Sequence, residues 1–92
     1  MEQTQILQRD LMPEEELLQK ISFTDIFTIL PNNGGLSTKQ WIEVNGSIFP
    51  PNTTGWTLGG VNFQLYLNYD IAAVLRQQAD KSVYVIKGFY AK

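Results

Sequence analysis

Apolar residues fall at every second position in two segments of this chain, which is the period of a β-strand with one buried face. Residues 61–67 alternate most regularly, in the order Val-Asn-Phe-Gln-Leu-Tyr-Leu. Residues 41–48 alternate as well, with Ile42, Val44 and Ile48 as the apolar members. Both segments are predicted to be strands. Asn45-Gly46 lies inside the second segment and also fits a type I′ hairpin turn with very short arms.

Residues 83–90 are apolar on both of the faces that a strand would present. This pattern is typical of a central strand or of one covered by a second layer. Residues 56–58 form a further short extended candidate. It lies between the turn-forming residues 50–55 and the pair Gly59-Gly60, which is expected to end it.

The first predicted helix covers residues 13–21. Pro13 suits the first helical position, where its missing N–H costs nothing. The three glutamates that follow it, residues 14–16, favour the positive end of the helix dipole, and Lys20 favours the opposite end. Residues 1–11 either form a separate short helix or fray.

Two more segments have helical spacing. Residues 23–30 place Phe23, Ile26, Phe27 and Leu30 on one stripe, which predicts a short helix, although Thr, Ile and Phe favour strands. Residues 31–35 are all turn formers and end this element. Residues 71–79 are predicted to be a helix that buries Ile71, Val74 and Leu75 and has Asp70 as its N-cap.

The predicted order is helix, helix, strand, short strand or loop, strand, helix, strand. The helix between the last two strands allows them to pair in parallel through a right-handed crossover. We therefore predict an α+β fold: a small mixed sheet of three or four strands, packed against one or two helices, with an N-terminal helical segment. The 92 residues suit a single domain, in which residues 1–11 are a candidate flexible or partner-docking extension.

The composition excludes most chemistry. The chain has no cysteine and no histidine, so disulfides, thiolate metal sites and the usual general base near neutral pH are all missing. No stretch approaches the ~18 apolar residues of a membrane span, and the first residues do not resemble a signal peptide. We expect a cytoplasmic protein that needs no metal and no cofactor and has no contact with a membrane.

Candidate catalytic groups have simpler structural explanations. Ser37-Thr38-Lys39 places a hydroxyl near an amine, but adjacent residues point in different directions and no third group supports a dyad. The glutamates at 14–16 suit a helix start better than an acid–base pair. Neither glycine pair continues into a phosphate-binding motif. The chain is therefore predicted not to be an enzyme.

Aromatic residues are the most promising binding groups. The chain holds two Trp, five Phe and four Tyr, more than a core of this size needs. Aromatic side chains are enriched at the centres of protein interfaces. We predict a protein-interaction or structural-assembly role through an aromatic-rich surface. The candidate partner-binding residues are Trp41, Trp56, Tyr69, Lys87, Phe89 and Tyr90.

The expected partner is another protein or a second copy of the chain, in a homo-oligomer or a larger assembly. Residues 1–20 carry five acidic and two basic side chains, whereas residues 61–92 carry four basic and two acidic ones, so neighbouring chains could attract each other. In the opposite view, the N-terminal segment folds back over the sheet and leaves a monomer.

The alternative function is a module that binds single-stranded nucleic acid by aromatic stacking beside the basic C-terminal third. Lys87-Gly88-Phe89 matches the opening of the RNA-recognition signature, but the match fails at Tyr90. A sequence pI of about 4.9 also disfavours phosphate binding.

Overall fold

The structure, a computed structural model, describes residues 18–91 and is mostly β. Of these residues, 58% lie in strands and 11% in helices, so the predicted α+β class is wrong. The helical residues form α1 (Phe23–Ile26) and one 3-10 helix (Phe63–Tyr66). The strands are β1 (Gln19–Ile21), β2 (Phe27–Ile29), β3 (Leu36–Thr38), β4 (Trp41–Val44), β5 (Ser47–Phe49), β6 (Thr54–Gly55), β7 (Thr57–Leu58), β8 (Val61–Asn62), β9 (Tyr69–Gln78) and β10 (Lys81–Ala91).

The described strands form three sheets, and the largest has the order β1-β9-β10-β4-β5. Its centre is the long β9–β10 hairpin, whose register shifts at a bulge between Ile86 and Gly88. All its strand pairs are antiparallel except β10 with β4, which run parallel. The smaller sheets have the orders β2-β3-β6 and β7-β8.

The predicted helix over 71–79 is wrong, because this segment belongs to β9. Four consecutive residues, 71–74, are buried, which suits a strand enclosed on both faces better than a helix with one apolar stripe. Asp70 is not an N-cap, since it lies in β9 opposite Tyr90. The last two predicted strands therefore do not pair in parallel through a helical crossover.

The predicted strand over 61–67 is wrong after Asn62. The side chain of Asn62 accepts a hydrogen bond of 3.1 Å from the backbone N–H of Gln64 and so starts the 3-10 helix. The backbone N–H of Phe63 donates to the carbonyl of Trp56 at 2.8 Å. The tighter helical turn sends Phe63 into the core and leaves Leu65 exposed.

Residues 23–30 divide between the two structures that the sequence allows. The first four form α1, as the spacing predicts, and the next three form β2, as the residue types favour. The predicted helix over 13–21 does not reach its end, because residues 19–21 are β1. The rest of that helix and the predicted extension over 1–11 lie outside the described residues.

The hairpin alternative at Asn45-Gly46 is correct. Both residues have positive φ angles, 51° and 86°, as a type I′ turn requires, and they join β4 to β5. The strand predicted over 83–90 is confirmed as part of β10, which is the middle strand of its sheet. The short extended piece over 56–58 is present as β7, and residues 31–35 connect β2 to β3.

One face of the five-stranded sheet, here called the inner face, packs against α1 and the smaller sheets. It contributes Ile42 and Val44 from β4 and Ile71 and Ala73 from β9 to the buried core. A chain of aromatic rings runs through this core. Ring centroids are 5.0 Å apart for Phe23–Phe27, 4.8 Å for Phe27–Phe63 and 5.7 Å for Phe63–Phe89.

Gly59 joins β7 to β8 where these strands touch the β4–β5 hairpin. It has a φ of +60°, and a Cβ added there would lie 2.6 Å from the Val44 carbonyl oxygen. We expect Gly59→Ala to lower the free energy of unfolding by about 2–5 kcal/mol, from left-handed strain plus overpacking. Urea unfolding measures the loss.

Gly46→Ala is the control for this prediction. Gly46 has a φ of +86° but nothing within 4 Å of the added Cβ. Only the strain remains, about 1–2 kcal/mol. Equal losses of stability in the two variants would show that a Cβ at Gly59 meets no steric obstacle at Val44.

Candidate functional site

The structure separates the six predicted partner-binding residues. Trp41 lies at the start of β4, opposite Val83. Phe89 and Tyr90 lie near the far end of β10, about 20 Å further along that strand. Trp56 packs against the core, and Lys87 is exposed at the bulge. The six residues therefore do not form one continuous aromatic surface.

Phe89 and Tyr69 belong to a cluster that fastens the 3-10 helix to the sheet. The rings of Tyr66 and Phe89 stack with centroids 3.9 Å apart and an interplanar angle of 2°. Tyr69 meets Tyr66 edge-on at 5.3 Å. Because these rings use their faces and edges on one another, the cluster is a poor stacking platform for nucleic-acid bases.

Tyr90 points to the other side of the sheet, where its neighbours are charged. The ammonium of Lys20 lies 5.7 Å from the centre of the Tyr90 ring. The same Lys20 Nζ is 3.9 Å from Oδ2 of Asp70. The Lys20 side chain is 64% exposed, so water screens both of its contacts and they contribute little to stability, although the Asp70 side chain is only 16% exposed. Tyr90 is available at the surface, where it is 36% exposed.

Trp41 borders a pocket of about 350 Å³ at the opposite end of the sheet. The ammonium of Lys81 lies 4.6 Å from the centre of the Trp41 ring and covers part of it. Ile48 of β5 is 44% exposed beside the same pocket. The pocket is lined by Trp41, Ile48, Gln78, Ala79, Lys81 and Val83. Its volume lies at the lower end of the range for binding sites.

Gln78 adds a polar atom to this pocket. Its Oε1 is buried and accepts no hydrogen bond within the described structure. A buried acceptor without a donor costs about 1–3 kcal/mol, and each such atom in a native protein calls for an explanation. A partner that supplied an N–H or O–H here would remove that cost.

One edge of β5 has no neighbouring strand in the described structure. Within the described structure β5 is an edge strand of its sheet. In a two-residue hairpin the residues next to the turn, Val44 and Ser47, form the hydrogen-bonded pair. In an antiparallel pair the hydrogen-bonding direction alternates along the strand. The N–H and C=O of Ile48 therefore point away from β4, toward the free edge of the sheet.

A second, open cleft of about 490 Å³ lies on the inner side, near the end of β1. It is lined by Gln19, Lys20, Ile21, Ser22, Asp25, Ile26, Lys39, Gln40 and Tyr84. The amine of Lys39 donates a hydrogen bond of 2.9 Å to the carbonyl of Thr24. This cleft is lined mostly by polar and charged side chains, and its Ile26 is fully buried in the core, so it is the weaker candidate.

Thr38 and Lys39 of the Ser37-Thr38-Lys39 segment both donate side-chain hydrogen bonds to backbone carbonyls. The hydroxyl of Thr38 is buried, donates to the Pro50 carbonyl at 2.7 Å and accepts from the Thr53 N–H at 2.9 Å. These bonds tie β3 to the loop before β6. Thr38 therefore stabilises a loop, and its hydroxyl does not point at the Lys39 amine.

Within residues 18–91, no group of three or more acidic side chains could hold a metal ion. None of the described helices is both long and apolar enough to cross a membrane. Comparison of the chain with protein-family models, with curated proteins and with solved structures gives no match. The functional argument therefore rests on the geometry of the pocket and of β5.

Proposed function

We propose that this chain is a non-catalytic protein-binding or structural-assembly module that binds an extended segment of a partner protein at the edge of β5. The observation that carries the proposal is Ile48, whose backbone groups face outward while its side chain stands exposed beside Trp41. An edge strand with these properties is a template for strand addition.

The energetics require both backbone and side-chain contacts. Ile48 offers one donor and one acceptor, and two backbone hydrogen bonds contribute about 1–3 kcal/mol net. Micromolar binding needs about 8 kcal/mol after the costs of association. The remainder has to come from apolar burial in the pocket beside Trp41. The proposed partner segment therefore carries an apolar side chain next to the residue that pairs with Ile48.

A second copy of the chain could supply this segment. Two β5 strands related by a two-fold axis through Ile48 would pair antiparallel and join two sheets into one. A different protein with an extended apolar segment fits the same edge. In either case we propose a cytoplasmic setting, in keeping with a chain that lacks cysteine.

Nucleic-acid binding is the second candidate, and fewer features favour it. Trp41 is half-buried beside the open pocket, and Lys81 already covers part of its ring. The formal net charge of the chain is −2. Salt separates the candidates, because a phosphate-bound complex weakens steeply as salt rises and a strand-addition complex does not.

Ile48→Lys tests the proposal. A lysine at the centre of β5 keeps the strand but places a charge in the apolar contact, and lysine is a residue that blocks edge pairing. We expect self-association to be lost by at least tenfold in sedimentation equilibrium at micromolar concentration. If the wild-type chain is monomeric, a photo-crosslinker at position 48 should instead join it to a partner protein.

Leu65→Lys is the matched control, since Leu65 is 67% exposed and lies on the 3-10 helix, away from β5. We expect this variant to behave as the wild type, and a crosslinker at position 65 to give no adduct. Equal behaviour at the two positions would reject β5 as the binding edge.

A further inference from the structure

The face of the five-stranded sheet opposite the inner face, here called the outer face, has an apolar centre. Strand alternation and register place Ala72 and Val74 of β9 there, with Val83 and Val85 of β10. All four are buried, yet none belongs to the core cluster on the inner face. A sheet face that meets water is normally polar. The outer face therefore needs a cover.

The described residues supply only part of that cover. Nη1 of Arg76 reaches Oε1 of Glu43 at 3.3 Å, so this ion pair crosses β10 above the valines. Its two side chains remain 33% and 17% exposed. The aliphatic stem of an arginine offers apolar surface to such a face, but one ion pair shields only a strip of it.

The direction of β1 makes the N-terminal segment a candidate for a second cover. β1 runs antiparallel to β9, with Gln19 opposite Ala73. The N-terminal end of β1 therefore points along β9 toward the end of the sheet that carries Gln78. The distance from β1 across two strands to β4 is about 14 Å. Seventeen residues span about 25 Å even when fully helical, so residues 1–17 can cross the face.

The composition of residues 1–17 matches the outer face. Their apolar residues are Met1, Ile6, Leu7, Leu11, Met12 and Leu17. They also carry five acidic side chains against one basic one. The outer face carries Lys20, Arg76 and Lys81 against Asp70 and Glu43, three positive charges against two negative ones. The segment therefore offers apolar side chains that suit the buried valines, and its net negative charge is complementary to the net positive charge of the face.

We propose that residues 1–17 dock across the outer face of their own molecule, with their apolar side chains on Val74, Val83 and Val85. The short path from Gln19 favours docking within one molecule over docking on a second copy. This inference shares Val83 with the pocket beside Trp41. Its readout at Val74 and Val85 does not depend on strand addition at β5, because these two valines lie on the central strands and Ile48 lies on the edge strand.

A spin label tests the docking in the full chain. The sequence has no cysteine, so Gln8→Cys provides a unique site for a nitroxide between Leu7 and Leu11. We expect the methyl NMR signals of Val74, Val83 and Val85 to lose most of their intensity. The methyl signals of Val44, on the inner face of the same sheet, should keep most of theirs. Equal losses at Val44, or no loss at all, would overturn the proposal.

A mixed sample distinguishes the two possible donors of the segment. Spin-labelled chains without isotopes are added to isotope-labelled chains without the spin label. Docking within one molecule predicts no broadening at the valines in this mixture. Broadening there would show that the segment comes from a second copy, and the proposal as stated would be wrong.

A pair of variants separates docking from general damage. Leu7→Glu with Leu11→Glu, in the spin-labelled chain, should restore the valine signals while the Val44 shifts stay unchanged. Thr4→Glu with Gln5→Glu adds the same charge at polar positions and should leave the valines broadened. If both double variants restore the signals, charge rather than apolar contact holds the segment, and the docking described here is rejected.

Discussion

Phe63→Ala is expected to lower the free energy of unfolding by about 3–5 kcal/mol, the usual cost of removing a phenylalanine from a packed core. Phe63 is 0% exposed and contacts both Phe27 and Phe89 through its ring. Its ring joins the 3-10 helix to β2 on one side and to β10 on the other. Since small domains are stable by only 5–15 kcal/mol, urea unfolding should show a large shift in the midpoint.

Leu65→Ala provides the comparison within the same 3-10 helix. Leu65 is 67% exposed, so its truncation should change stability by less than about 0.5 kcal/mol. If residues 61–67 formed the regular strand that the alternation predicts, Phe63 and Leu65 would share a buried face. Similar losses for the two variants would favour that strand over the 3-10 helix.

Val83→Asp is the second substitution with a large expected effect. Val83 is 0% exposed on the outer face, and an unpaired carboxylate there would lose its hydration. We expect a loss of several kcal/mol in the free energy of unfolding, enough to leave much of the protein unfolded at 25 °C. Circular dichroism measures the unfolded fraction, and urea unfolding measures the loss in the free energy of unfolding.

Ser82→Asp is its neighbouring control. Ser82 is exposed, and its Oγ accepts a hydrogen bond of 2.7 Å from Nε2 of Gln77. A carboxylate can accept the same bond in water, so stability should change by less than about 0.5 kcal/mol. A mild effect of Val83→Asp, similar to that of Ser82→Asp, would mean that the outer face is open to solvent.

The sequence predicts those elements whose local chemistry and tertiary surroundings agree. Asn45-Gly46 adopts the positive φ angles that these two residues favour, whatever surrounds them. The apolar run over 83–90 indicates a central strand, and β10 lies between β9 and β4 in the middle of its sheet. In both cases a short stretch of sequence contains the whole signal.

The prediction fails where pairing between distant segments decides the structure. Residues 71–79 have a helical stripe and a good N-cap, but β1, some 50 positions earlier, and β10 both hydrogen-bond to them as strands. Strand pairing outweighs a local helical preference, because propensity differences are only tenths of a kcal/mol per residue. Single-sequence patterns contain no information about such partners.

The candidate site also contains residues that the sequence predicts and residues that it does not. Trp41 is named from composition, because aromatic residues are enriched at interfaces. Ile48 and Gln78 are missed: Ile48 fits the buried side of an alternating strand, and Gln78 fits the polar face of the expected helix. The Asn45-Gly46 turn is the signal that could have revealed Ile48, since a two-residue hairpin puts it on a short arm at the end of a sheet.

The parallel pair of β10 and β4 has a consequence for the kinetics of folding. Val83 pairs with Trp41, and Ala73 pairs with Gln19, so the strands of the largest sheet come from widely separated parts of the chain. Closing such loops costs entropy before the contacts repay it, and proteins with this topology fold in milliseconds to seconds. We expect the β9–β10 hairpin to form early, because its two strands are adjacent in the sequence. Both of its long edges then stay exposed until β1 and β4 pair with them. During that interval the chain is most vulnerable to aggregation, so refolding yield should fall as protein concentration rises.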